Sequence, residues 1–183
     1  MMKDQPIDLK EERRKIYVSA LLALVVCAVT LAGGYVILPR YFTFPEALAD
    51  RLAFTLRADL LILLWVFIGV KMVADVRRNS PSDSRGSAFG PPSPRLAIRA
   101  AFLQNTLEQA FLAVVTHLAL ASVLSGPALA LIPAAVVLFG IGRVTFFIGY
   151  PAGAGGRAFG MATTALPTLV GFVAAIALVA VRL

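Results

Sequence analysis

The chain has 183 residues, of which 59% are hydrophobic and 15% charged, with a formal net charge of +7 and a mean hydropathy of +0.84. Globular domains carry ~25% charged residues, so a soluble monomer of this length has too little polar surface to cover its apolar content. The same balance excludes intrinsic disorder, which needs high charge and low hydrophobicity. One cysteine, Cys27, and one histidine, His117, exclude an internal disulfide, a multi-thiolate zinc site and a His-rich centre; no metal is expected.

Residues 1–15 read as a cytoplasmic N-terminal segment. Ile16 to Leu38 is a 23-residue run without a charge, long enough to cross a hydrocarbon core of ~30 Å. Arg13, Arg14 and Lys15 precede it as in a signal peptide, but the run is too long and no clear small-x-small cleavage site follows. Cys27 reads as a small packed hydrophobe. The second span covers about Leu52 to Val76. Its charge-free centre, Leu60 to Val70, is 11 residues long, with Arg57 and Asp59 at one end and Lys71 and Asp75 at the other. These four are expected to snorkel or pair; Lys71 and Asp75, four apart, can pair on one helix face.

A Ser-, Pro- and Gly-rich segment, 77–94, is the one stretch that reads as a solvated loop. Ala100 to Gly142 then holds 43 residues with one charge, Glu108. At ~1.5 Å per residue this is about two crossings, broken at Ser125-Gly126-Pro127. The third span is therefore Arg95 to Leu124 and the fourth Ala128 to Tyr150. Pro151 to Gly156 is expected to form a flexible turn; it follows a membrane helix, not a strand, which argues against a dinucleotide loop. The fifth span, Ala158 to Val181, contains Pro167, which helix neighbours in a bundle can accommodate. The expected fold is an all-α integral membrane protein of five spans.

Charge sets the orientation. With the N-terminus inside, 13 lysines and arginines fall on the cytoplasmic side and 4 outside. Basic loops stay in the cytoplasm, so the N-terminus is expected there and the C-terminus on the opposite side. Span-flanking bias accounts for the net charge, and no nucleic-acid fold is visible to use it otherwise.

Polar groups inside apolar spans are the functional candidates. On the third helix, Asn105, Glu108, Gln109, Leu112 and Thr116 are expected to share a face. On the fourth, Arg143, Phe146, Phe147 and Tyr150 do the same. Counted from a turn at 126–127, Glu108 and Arg143 fall within ~3 Å of the same depth. The expectation is a cytoplasm-side recess holding Glu108, Asn105, Gln109, Arg143, Arg157 and Tyr150. Glu108 with Arg143 reads equally as a pair that fixes helix register and as part of a ligand site. The excess of arginine over glutamate favours an anionic ligand.

Asn105-x-x-Glu108, then Arg143-x-x-Phe146-Phe147-x-Gly149-Tyr150 and Arg157, resemble the MAPEG family, membrane-associated proteins in eicosanoid and glutathione metabolism. The resemblance covers about residues 52–183. It implies a four-helix membrane bundle made of the second to fifth spans, with 16–38 as an added transmembrane helix. It further implies a homotrimer that takes glutathione as co-substrate between subunits, and a lipophilic second substrate. By resemblance Asn105, Glu108, Arg143 and Tyr150 bind glutathione and Arg157 stabilises its thiolate, with Gln109 and Phe146 as additional candidates; Arg77, at the end of the second span, either reaches the recess or snorkels to the interface.

Departures are also legible. Phe146 stands where many members have tyrosine, Ala101 where glutathione-binding members often have arginine, and Ala158 where one branch has serine. A non-catalytic member binding a lipid or other anion in the same recess is the alternative. A transporter or channel subunit has less support, because no repeated polar helix or filter motif is present. His117 lies on another face of the third helix and is expected to hydrogen-bond within the bundle. Thr163, Thr164 and Thr168 are expected to bond their own helix carbonyls.

Overall fold

The computed structural model describes residues 8–182. Five long helices run antiparallel in sequence: α1 (Leu9–Ile37), α2 (Leu48–Asn79), α3 (Pro94–Val123), α4 (Leu131–Gly149) and α5 (Gly153–Arg182). Each pairs most of its backbone polar groups within the helix, as a bilayer demands. Three separate segments, Leu9–Arg40, Leu48–Asn79 and Pro94–Val123, are each long and apolar enough to span a membrane. A fourth, Gly126–Val181, has 56 residues, about two crossings, and is divided into α4 and α5 by the short 3-10 turn Tyr150–Ala152. The described residues form an all-α, multi-pass membrane protein.

α1 and α3 start ahead of their apolar runs on capped first turns. α1 begins at Leu9, where Asp8 accepts from the Lys10 and Glu11 amides and relieves two of the orphan donors of a first turn. Ser93 caps α3 through the Leu96 amide and is itself held by Asp83. The glycine-rich turn is shorter than the sequence suggests. Gly153, at φ +84°, a backbone setting that glycine adopts without a Cβ penalty, redirects the chain, and α5 starts there rather than at Ala158.

α5 packs on α1, α3 and α4, while α2 packs mainly on α3. Small residues set the α4–α5 contact. A Cβ on Gly160 would overlap the Phe146 backbone, and one on Gly149 would overlap that of Gly156. Close backbone approach through glycine supports helix association where lipid removes the hydrophobic drive. At the other end Arg51 donates to the Leu124 carbonyl at 2.7 Å, satisfying the C-terminus of α3. Many leucines, valines and phenylalanines stay exposed, among them Leu21, Leu60, Phe67 and Val173, as expected for side chains that meet lipid.

Candidate functional site

The α4–α5 seam carries the polar centre. Arg143 is fully buried. Its Nη1 donates to Asn105 Oδ1 at 2.8 Å, and its Nη2 donates to Thr164 Oγ1. The guanidinium also lies 5.4 Å from the Phe139 ring centroid and 5.0 Å from that of Phe146. Among the described residues no carboxylate pairs with it, and its Nε has no hydrogen-bond partner. Two ring faces and two neutral acceptors soften the cost of this cation, but its charge has no counterion among the described residues.

In front of Arg143 lies a cavity of about 520 Å³. Asn105 and Ala101 of α3, Phe146 and Tyr150 of α4, and Arg157 and Met161 of α5 line it, and Ile16 and Ala20 of α1 close one side. The Arg157 guanidinium rests 4.6 Å from the Tyr150 ring centroid, an attraction between cation and ring quadrupole. Tyr150 meets Phe146 edge-to-face at 5.6 Å. Among the described residues no acidic side chain lines the cavity. Its fixed charge is therefore cationic, in surroundings of low dielectric where such charge acts strongly.

α1 is fixed to this site. Glu12 Oε1 accepts the Gly155 amide at 2.6 Å, capping the first turn of α5 from another helix and matching the positive end of its dipole. Gly155 is packed so closely on Lys15 that a Cβ there would come within 2.8 Å of the Lys15 Cβ. Nothing in the sequence of the added helix marks it as a wall of the cavity.

Not all expected residues converge. Asn105, Tyr150, Arg157 and Phe146 line the cavity, and Arg143 stands one layer behind, positioning Asn105. Glu108 does not pair with Arg143. It is exposed, and its Oε1 accepts from Gln104 Nε2 at 2.8 Å. Gln109 is buried away from the cavity, and Arg77 is exposed near the end of α2, which contributes no wall residue. The reason is angular. From Asn105, Gln109 is ~40° round the helix one way and Glu108 ~60° the other, so a single face cannot serve all three. Thr164 was missed as a partner because its hydroxyl also donates to the Gly160 carbonyl, the local bond expected of it.

The sequence model of the MAPEG family matches residues 53–177, taking in most of α2, all of α3 and α4 and most of α5, and leaving α1 outside. No curated protein and no solved structure gives a significant match. The matched segment carries Asn105, Arg143, Tyr150 and Arg157 on successive helices of an all-α membrane protein. This chain belongs to the MAPEG family, membrane proteins of eicosanoid and glutathione metabolism.

Proposed function

We propose that the protein is a membrane-embedded, glutathione-dependent transferase or peroxidase acting on lipophilic electrophiles. The observation that carries this reading is the acid-free cavity facing Arg157, backed by the buried and unpaired Arg143. An anionic peptide with a thiol supplies the missing negative charge.

A free thiol has pKa ~8.5 and is mostly protonated at neutral pH. The Arg157 guanidinium cannot give up its proton under these conditions, so it favours the thiolate. Asn105 and Tyr150 hold the tripeptide, and Arg143 keeps Asn105 in place. In conjugation the thiolate sulfur forms a bond to an electrophilic carbon. The leaving group departs with its electron pair, and the thiol proton passes to water. Lipophilic electrophiles reach the cavity from the bilayer.

Glu108 belongs in this proposal through a second copy. It is exposed on α3 beside Leu107, Phe111 and Leu112. A carboxylate left facing lipid costs ~2.5 kcal/mol or more. In the homotrimer we propose, a neighbouring subunit covers this face, and Glu108 joins the glutathione site across the interface. The N-terminus is cytoplasmic in this reading, which places the cavity on the cytosolic side; reporter fusions at each terminus test that orientation. α1 is an addition to the four-helix family domain, and loop 77–94 is cytosolic.

A second reading rests on a specific observation. Ala101 and Phe146 line the cavity without a hydrogen-bonding group, which favours a non-catalytic member holding a lipid or other anion. Calorimetry with glutathione on detergent-purified protein, followed by conjugation to a chlorinated nitrobenzene, separates the two. Turnover supports the enzyme, and binding without turnover supports the second reading. Neither binding nor turnover, with the oligomer intact, overturns the glutathione assignment.

A further inference from the structure

The second polar centre of the bundle lies in the other half of the molecule. His117 on α3 is 12 positions beyond Asn105, ~18 Å along the helix. Its Nδ1 lies 2.7 Å from Asp59 Oδ1 of α2, and both side chains are buried, at 4% and 2% exposure. The other carboxyl oxygen, Asp59 Oδ2, has no hydrogen-bond partner. His117 Nε2 also has none among the described residues. The imidazole borders an apolar cleft of about 260 Å³ between α1, α3, α4 and α5, walled by Leu31, Leu120, Ile132, Pro167 and Val170. Among the described residues, His117 is the only side chain with a nitrogen or oxygen in that lining.

We propose that this cleft is a binding site for a lipophilic molecule bearing a carbonyl oxygen, which accepts a hydrogen bond from His117 Nε2–H. The donor role follows from charge. A carboxylate with an orphan oxygen beside a neutral ring leaves a net charge in the bundle interior, the costly outcome. Two net-neutral arrangements of the pair use the 2.7 Å contact, an acid proton on Oδ1 donated to Nδ1 and a carboxylate with an imidazolium, and both leave a proton on Nε2; a proton on Asp59 Oδ2 would have no acceptor. An N–H that faces an apolar cleft without a partner is costly too, and no other described residue of the lining has a side-chain acceptor. The volume lies just below the ~300–1,000 Å³ of drug-sized pockets, so the site suits one ring or a chain segment.

The chain has one histidine, so uniform labelling with ¹⁵N-histidine gives one imidazole to watch. The experiment uses the full chain in phospholipid nanodiscs. Its probes are hexanophenone, which has the carbonyl, hexylbenzene, which lacks it, and 4-hexylphenol, which is foremost a donor. We expect hexanophenone to shift the Nε2 resonance saturably, with hexylbenzene about tenfold weaker for want of one buried hydrogen bond. Ala174→Leu, which fills the cleft from α5 while leaving the His117–Asp59 contact in place, should abolish the hexanophenone shift without moving the unliganded resonance. Equal responses to hexanophenone and hexylbenzene, a response that never saturates, or a preference for 4-hexylphenol would each overturn the proposal. The readout is local to His117 and does not depend on glutathione binding at the Arg157 cavity.

Discussion

The Cys27 thiol donates to the Thr163 carbonyl at 3.6 Å, and that carbonyl is the one Pro167 leaves without its helical partner. Proline has no N–H to return to the residue four before it. In a bilayer a neighbouring helix has to supply the replacement. α1 does so, and the bond ties it to the middle of α5. Cys27→Ala should therefore cost about 1 kcal/mol, whereas Cys27→Ser retains a donor. Restoring the amide with Pro167→Ala should make the cysteine replacement nearly neutral. Unfolding of the two single variants and the double variant in detergent measures this coupling; additive effects would count against it.

Arg143 separates support from function. Arg143→Met replaces an unpaired buried cation with an apolar side chain of similar length, a change that proteins often tolerate. We expect thermal unfolding to shift little. Glutathione affinity should fall about tenfold or more, because Asn105 loses the donor that orients it. Large destabilisation with unchanged affinity would assign Arg143 to helix register alone.

Arg157→Ala should lower conjugation about a hundredfold, in line with losing one preorganised charge-stabilising group, and change glutathione binding much less. Asn105→Ala should do the reverse and act on binding first. Separate calorimetric and steady-state measurements on each variant test the division of roles.

Gly160→Ala should drive α4 from α5, since its Cβ overlaps the Phe146 backbone. Overpacking of this kind costs about 1–3 kcal/mol and should impair assembly. Gly33→Ala is the control: its Cβ meets nothing within 4 Å, and alanine favours the helix. Thermal scans of the two variants should diverge accordingly.

Asp83 gives an acid-side prediction. Hydrogen bonds from the Ser93 amide, and then from its hydroxyl, hold the Asp83 carboxyl below its ordinary 3.8. Its contribution is complete above 3.8 and is lost as pH falls through the lowered value, because only the carboxylate accepts both bonds. Asp83→Asn should be less stable than the parent above pH 3.8, and the gap should close in more acid solution. Unfolding midpoints of both proteins across that range check the sign.

The sequence alone determined the five long apolar helices and the break at Gly126-Pro127, and it located α2, α3 and α4 to within a few residues; α1 and α5 begin earlier than their apolar runs, at Leu9 and Gly153. Lipid imposes a one-dimensional rule, that apolar length must match bilayer thickness, and a linear chain can be read against it. It also singled out Asn105, Tyr150 and Arg157 as polar breaks in or beside apolar spans, and all three line the cavity. Only the tertiary structure decided which of these groups meet. A few tens of degrees of helix rotation send Glu108 outward and Asn105 inward, and Asp59 finds His117 across 58 positions. α1 became a wall of the cavity through Glu12 and Cys27, whose partners lie far along the chain. Hydropathy fixes depth, but rotation about each helix axis depends on packing against its neighbours, which no local pattern records.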